Sequence, residues 1–230
     1  MESDASKRWR LAAIFSALQG MADEHATALG MGYDMVFGKG LAWVLTRINV
    51  EVTRYPSVYE EVTVGTWYAP PGRLTFDRHF EVLGAGGEPL VAAYSVWAMM
   101  DLSTRSVVKV RDLGIMFPDG SSEPPVAAAP GKLAYSGLME VAEHRRARYG
   151  DIDTNGHMNN ARYVEWLCDM GETQKDGRCA VRRMAVRFMS ETLPGDILEL
   201  SVGRGEGALH VRGQNLTKNE TAFESEIALG

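Results

Sequence analysis

Cysteine is scarce in this 230-residue chain: Cys168 and Cys179 are the only two, each in an apolar or mixed run. No CxxC and no Cys/His cluster has metal-ligand spacing, so no metal site is expected. A disulfide is not expected either; two buried thiols suit a reducing compartment. Long apolar runs are also missing. The N-terminal "LAAIFSAL" is broken by Gln19 and Gly20, too short and polar for a membrane span or a signal-peptide core. A basic excess is lacking: 24 Lys and Arg face 30 Asp and Glu, a net charge of −6, which argues against nucleic acid as the main partner. These absences leave a cytoplasmic protein that needs no cofactor.

What is present is an ordinary core-forming composition, 45% hydrophobic and 23% charged, enough for one large domain or two of about 115 residues. Leu11, Phe15, Leu18, Ala22 and Ala26 recur at three and four, the helical period. From Leu41 the pattern turns to strands: "WVLTRINVEV", "EEVTVGTWY", then "RLTFDRHFEVL" and "PLVAAYSVWAMMDL" joined by "GAGGE", with "STRSVVKV" after. Residues 118–131, "PDGSSEPPVAAAPG", hold four of the nine prolines and read as a linker between domains 1–117 and 132–230. After it the order recurs: strand "HRRARY", a loop and a helix to Met170, then strands "VRRMAVRFM", "DILELSVG", "ALHVRGQNL" and "TAFESEIAL". Helix then antiparallel strands, twice, is an α+β architecture.

A shift of 136 lays "RINVEVTRYPSVYEEVTV", from Arg47, over "RMAVRFMSETLPGDILEL", from Arg183, without a gap. Val50 meets Val186, Val52 meets Phe188 and Glu60 meets Asp196. The same shift carries "LQGMADEH" onto "TNGHMNNA", Gly20 over Gly156. A duplication is expected. The copies differ in chemistry: Asp153 faces Ala17, Asn155 faces Gln19, His157 faces Met21 and Glu191 faces Tyr55.

The stretch "YGDIDTNGHMNNARYVEWLCDM", Tyr149 to Met170, therefore concentrates the titratable groups of the second copy. His157 sits where a loop enters a helix, near the free N–H groups of a first turn, which favour developing negative charge. Asn155 donates an amide proton without changing charge, His157 exchanges protons near neutral pH, and Asp153 orients either. Glu191 is distant in sequence and faces the helix start if the sheet folds back. That set suits acyl transfer to water, with a base on the water and amides on the oxyanion. No GxSxG elbow exists. The plain alternative is that the Asx residues cap the helix and stabilise a turn; Asp151 and Asn159 are read that way.

"GDIDTNGHMNNARYVEW" resembles the active-site segment of the acyl-acyl carrier protein thioesterases, the plant plastid enzymes and their bacterial relatives. "LAWVLTRINVEVTRYPSVYEEVTVGTWY" and "AAYSVWAMMDLSTRSVVKV" resemble the same family. The resemblance implies two hotdog folds in tandem, each a long helix wrapped by an antiparallel sheet. It also implies hydrolysis of the thioester joining a fatty acyl group to the phosphopantetheine arm of acyl carrier protein. Its catalytic set falls on Asp153, Asn155, His157 and Glu191. In the plant enzymes a cysteine follows that glutamate; here Thr192 does, so water attack is favoured over a cysteine nucleophile.

The first copy then binds the acyl chain, with Met21, Trp97, Met99 and Met100 as lining residues, since methionine fits flexible chains. Arg145, Arg146, Arg182 and Arg183 are candidates for docking the acidic carrier protein. A homodimer is compatible with these expectations. The competing readings are an acyl-CoA thioesterase, a hotdog hydratase (whose D-x-N-P-x-H is one residue longer than "DTNGH") and a non-catalytic acyl-carrier binding module.

Overall fold

A computed structural model describes residues 2–133 and 135–230. The chain divides into two compact units: Ser16–Pro130 is one, and the described residues of Met1–Phe15 and Gly131–Gly230 form the other. The boundary falls inside helix α1 (Leu11–Ala28), so residues 2–15 group with the C-terminal half of the chain.

In the Ser16–Pro130 unit a short helix α2 (Tyr33–Phe37) precedes strands β1 (Leu41–Val52), β2 (Val62–Tyr68), β3 (Phe76–Gly84) and β4 (Pro89–Asp101). They pair antiparallel in the order β2-β3-β4-β1. β4 is interior, and Leu90, Val91, Ala93, Ser95, Val96, Ala98 and Met99 are all buried, because both of its faces are covered. β2 lies beside β3 alone and stays half-exposed along its length. The "GAGGE" turn closes with Gly84 N–H donating to Glu88 O at 2.9 Å and Gly87 at φ +81°. Of the expected strand "STRSVVKV" only β5 (Ser106–Val107) pairs, against the end of β4.

Residues 118–130 form no helix or strand but are tied down by backbone groups. The Tyr68 hydroxyl donates to Pro118 O at 2.6 Å, and Ser121 N–H donates to Tyr68 O at 2.8 Å. Farther along, buried Asn49 donates to Ala128 O at 3.0 Å, while Ala128 N–H donates to Glu51 Oε1 at 3.0 Å. Four of these residues are prolines, which offer no N–H, and two further bonds fall on carbonyls, from the Tyr68 hydroxyl to Asp119 O at 3.1 Å and from Arg47 Nη1 to Pro130 O at 3.4 Å.

The other unit contains β6 (Glu140–Arg146), α3 (Asn160–Asp169), a two-residue hairpin β7 (Gln174–Lys175) and β8 (Arg178–Cys179), then β9 (Val181–Phe188), β10 (Ile197–Gly205), β11 (Ala208–Asn215) and β12 (Glu220–Leu229). Its sheet runs β9-β12-β11-β10-β6, again antiparallel. β6 begins and ends earlier than "HRRARY", because Ala147 leaves the ladder to bond Asp196 and a 3₁₀ turn takes Tyr149–Asp151. α3 buries Ala161, Tyr163, Val164, Trp166 and Leu167 on one face. The Tyr163 ring meets Phe223 and Phe188, with centroids 5.1 and 5.7 Å away.

The duplication is visible strand for strand. Order β2-β3-β4-β1 in one unit matches β10-β11-β12-β9 in the other, with β6 added beside β10. It also reaches single hydrogen bonds. Ser57 N–H donates to Glu60 Oε2 at 2.8 Å and Glu60 N–H returns to Ser57 O at 3.1 Å. Moved by 136, Leu193 N–H donates to Asp196 Oδ2 at 2.9 Å and Asp196 N–H returns to Leu193 O at 3.1 Å. Hydrogen bonds from Arg54 and from the Ser57 N–H hold the Glu60 carboxyl down at about 2.

The same shift fails at the helices. "LQGMADEH" was expected to be the counterpart of the helix start at "TNGHMNNA", yet Leu18–His25 lies inside α1, and Gly156 precedes α3 in a loop. It fails again after β2, because residues 69–75 separate β2 from β3 whereas only 206–207 separate β10 from β11. The common register covers β1 to β2 and their connection, where the intervening loops, residues 53–61 and 189–196, differ by a single residue.

Candidate active site

The polar loop is a small closed structure. Ile152 and Met158 form an isolated antiparallel bridge. Between them Asp153 Oδ1 accepts the Asn155 N–H at 2.8 Å, Asp153 O accepts the Gly156 N–H at 3.0 Å, and Asp153 N–H donates to His157 O at 3.0 Å. Gly156 completes the reversal at φ +81°, a conformation that suits glycine. Asp153 thus acts on its own loop, as a short Asx side chain does at turns. Its Oδ1 is also 3.9 Å from His157 Nδ1, which lies 3.4 Å from Met158 O.

α3 begins at once. Asn159 is its N-cap, and Asn159 Oδ1 accepts the Ala161 N–H at 2.8 Å. Asp151 accepts the Arg148 N–H through Oδ2 at 2.8 Å and the Asn159 N–H through its carbonyl at 2.9 Å. Both residues are structural, as the sequence suggested. Asn155 differs: it is exposed, and no hydrogen bond among the described residues engages its side-chain amide.

Met158 N–H donates to Thr192 O at 2.8 Å, which joins this loop to the turn between β9 and β10. His157 and Glu191 each stand one residue from that bond. The turn itself is braced from β11 and its C-terminal loop, a feature that sequence reading missed. Lys218 Nζ donates to Glu191 O at 2.8 Å and lies 3.6 Å from Asp196 Oδ2. Buried Asn215 donates to the same Asp196 oxygen at 2.7 Å, and its own Oδ1 accepts the N–H groups of Thr217 and Lys218. In the sequence Asp196 stands out only as the partner of Glu60 in the shifted register. Its signal was an acidic residue at the start of an apolar strand, where burial requires donors.

Tyr163, on the buried face of α3, is the nearby aromatic acid; burial pushes its phenol up to about 12, with the neighbouring Thr192 pulling the other way. It stays neutral in any reaction at ordinary pH.

The other predicted residues are dispersed. Trp97 and Met99 share one face of β4 and belong to a cluster with Val36, Leu41, Phe76 and Leu113. Met100 lies on the opposite face of β4 by strand alternation, and Met21 is on α1. Arg145 is bound to Glu143 and Asp169, both at 3.1 Å, and Arg183 to Glu226 at 2.7 Å. Arg146 and Arg182 are exposed at β6 and β9. No group of three or more His, Cys, Asp or Glu among the described residues can hold a metal. No helix among them is long and apolar enough to cross a membrane.

Fold and loop together define an α+β protein of two hotdog units in tandem, with a polar loop-to-helix site in the C-terminal half. The family model for the acyl-ACP thioesterase N-terminal domain matches residues 1–114, and that for the C-terminal domain matches residues 139–228. The chain belongs to the acyl-ACP thioesterase family. It is similar to a chloroplastic palmitoyl-acyl carrier protein thioesterase of Arabidopsis thaliana, 28% identical over 86% of this chain and 51% of that protein. The chain spans about half the length of the curated relatives it matches. A crystal structure of an acyl-ACP thioesterase from Bacteroides thetaiotaomicron is similar over 100% of this chain and 93% of that one, with TM-score 0.85 and 27% identity. A 12:0-ACP thioesterase from Umbellularia californica has the same fold, with TM-score 0.82 at 19% identity over 100% of this chain and 93% of that one.

Proposed function

We propose that the protein hydrolyses the thioester of fatty acyl-acyl carrier protein and releases the free fatty acid. The observation that carries this reading is the Met158–Thr192 backbone bond, at 2.8 Å, which brings His157 and Glu191 to either side of one junction. Beside it, the loop closed by Asp153 presents an unengaged amide on Asn155.

In this mechanism Glu191, with His157 as relay, takes a proton from water as it attacks the thioester carbonyl. Asn155 receives the developing oxyanion. Of the N–H groups at the helix start, Asn159 caps that of Ala161 and Thr192 takes that of Met158, so the Asn160 N–H is the backbone donor assigned to the same oxyanion. One such donor is worth about 10²–10³ in rate and the acid–base pair about 10²–10⁴. Asp153 orients the loop. The Ser16–Pro130 unit takes the acyl chain, with Met21, Trp97, Met99 and Met100 as the lining candidates. Arg145, Arg146, Arg182 and Arg183 dock the carrier protein, and the protein works in a reducing cytoplasm.

Purified protein offered acyl-carrier protein and acyl-CoA series, with free thiol detected, tests the reading. Release from the carrier-bound series supports it. Faster release from CoA would make the protein an acyl-CoA thioesterase, and no release from either would leave a binding module. Single turnover in ¹⁸O-water then separates water attack from a carboxylate nucleophile: label in the Glu191 or Asp153 side chain would sink the water mechanism. Glu191→Gln should lose activity at unchanged stability.

A further inference from the structure

The two cysteines lie 11 residues apart in sequence, yet their sulfurs are in contact: the Cys179 thiol donates to Cys168 Sγ at 3.7 Å. Neither is in a disulfide. Cys168 is the penultimate residue of α3 and Cys179 ends β8. The intervening lobe is anchored by bonds to the backbone at both cysteines. Thr173 Oγ1 lies 2.8 Å from both Leu167 O and Met170 O and shares its one proton between them, and Gln174 Nε2 donates to Cys168 O at 3.2 Å. The β7–β8 ladder sets Gln174 opposite Cys179. From outside the lobe, Arg8 Nη2 donates to Cys179 O at 3.2 Å, and the Gly230 N–H holds Ala180 O at 2.9 Å.

We propose that Cys168 and Cys179 form a reversible dithiol–disulfide site that fastens the β7–β8 lobe to the end of α3 when the surroundings become oxidising. A buried cysteine that serves only as a small apolar side chain needs no second sulfur against it. Here the chain's whole complement of two thiols is in contact, across backbone that is already fixed. A bond at about 2.0 Å requires the two sulfurs, 3.7 Å apart when reduced, to close on one another. The oxidant is a small-molecule disulfide such as oxidised glutathione. The Cys179 sulfur, as thiolate, attacks one glutathione sulfur and releases the other glutathione as a thiol. Cys168 then loses its proton and attacks the Cys179 sulfur, releasing the second glutathione. Two protein thiols are oxidised and one external disulfide is reduced. Cys168 is the poorer first attacker, because the hydrogen bond from Cys179 and burial push its thiol well above the ordinary range. The proposal is independent of the catalytic reading.

Reduced, folded protein is incubated with oxidised glutathione and followed by intact mass, thiol titration and thermal melting. The expected product has lost two hydrogens, carries no glutathione, remains monomeric by covalent mass and is restored by dithiothreitol. It melts several degrees higher, because the closed loop constrains the unfolded chain. Cys168→Ser should stop at a stable glutathione adduct on Cys179, and Cys179→Ser should not react while folded. Two thiols still titratable after prolonged exposure of the native protein would overturn the proposal. So would a glutathione adduct that persists on Cys179 in the unaltered chain.

Discussion

Asn215→Ala is the sharpest probe of how the candidate site is held. Asn215 is fully buried and sits outside the polar loop, yet its amide donates to Asp196 Oδ2 at 2.7 Å. That same oxygen accepts the Leu193 N–H at 2.9 Å, and the Lys218 N–H held by Asn215 belongs to the residue whose ammonium holds Glu191 O. Truncation leaves a buried carboxylate short of one donor, a loss of about 1.5–3 kcal/mol for a bond to a charged group. The Thr217 and Lys218 N–H groups lose their acceptor as well, but they lie in a turn where water replaces it at about 0–1 kcal/mol. The sum is roughly 1.5–4 kcal/mol, or about 3–16 °C in Tm for a chain of this size. Calorimetry measures the first quantity. Steady-state hydrolysis well below the variant's Tm measures the second, where a Glu191 turn displaced by about 1 Å should cost on the order of 10²-fold in kcat. A variant within about 0.5 kcal/mol of the parent, or one that melts early but turns over normally when folded, would refute the bracing role.

Three further outcomes follow from particular residues. Gly156→Ala should destabilise by about 1–2 kcal/mol, since its φ of +81° penalises a Cβ although nothing lies within 4 Å. Gly20→Ala, inside α1 and equally unobstructed, should stabilise by about 0.5–1 kcal/mol; urea midpoints moving in the same direction would contradict the two conformations. Asn159→Ala removes the α3 N-cap and should cost about 1 kcal/mol, with Asn159→Asp retaining most of it in the same titration. The fourth concerns pH. Burial and the Arg78 guanidinium, which donates to His25 Nδ1 at 2.8 Å, hold the His25 pKa below its ordinary 6.5. The unfolded chain therefore binds the proton first. His25's contribution to stability is complete above pH 6.5 and is lost as pH falls toward the lower folded value. Urea unfolding at several pH values should show a shallower acid slope for His25→Gln, and equal slopes would remove His25 from the account.

Much of this was readable in local pattern. Period-two alternation announced β1 to β4 and β9 to β12, because each strand buries one face or both and its side chains record that choice. The glycine-rich turn and the proline-rich strap were equally plain, since those residues act through their own backbone. Asp151 and Asn159 were correctly read as turn and cap residues for the same reason: their partners lie within eight residues. The α2 turn and the β7–β8 hairpin were not foreseen, being too short to carry a period.

The shifted repeat was right for β1, β2 and the loop between them and wrong for the helices, and the difference is physical. Strand registers must agree wherever two loops have equal length, as residues 53–61 and 189–196 nearly do. Helix starts depend on caps, which each copy places for itself. The absence of His157 and Asp153 from the aligned Gly20 segment therefore says less about function than the alignment suggested, because that segment is not a helix start.

By itself the sequence determined the α+β character, the tandem order of the two units and the polar loop, because hydrophobic period and turn chemistry act between near neighbours. Only the tertiary structure decided which of those groups meet. Thr192, the neighbour of Glu191, meets the loop through one backbone bond from Met158. The turn holding Glu191 is braced by Asn215 and Lys218, 24 and 27 residues from it, and two thiols expected merely to be buried are in contact. Such meetings depend on sheet pairing, and a strand's own residues specify which face it buries but not what lies across from it.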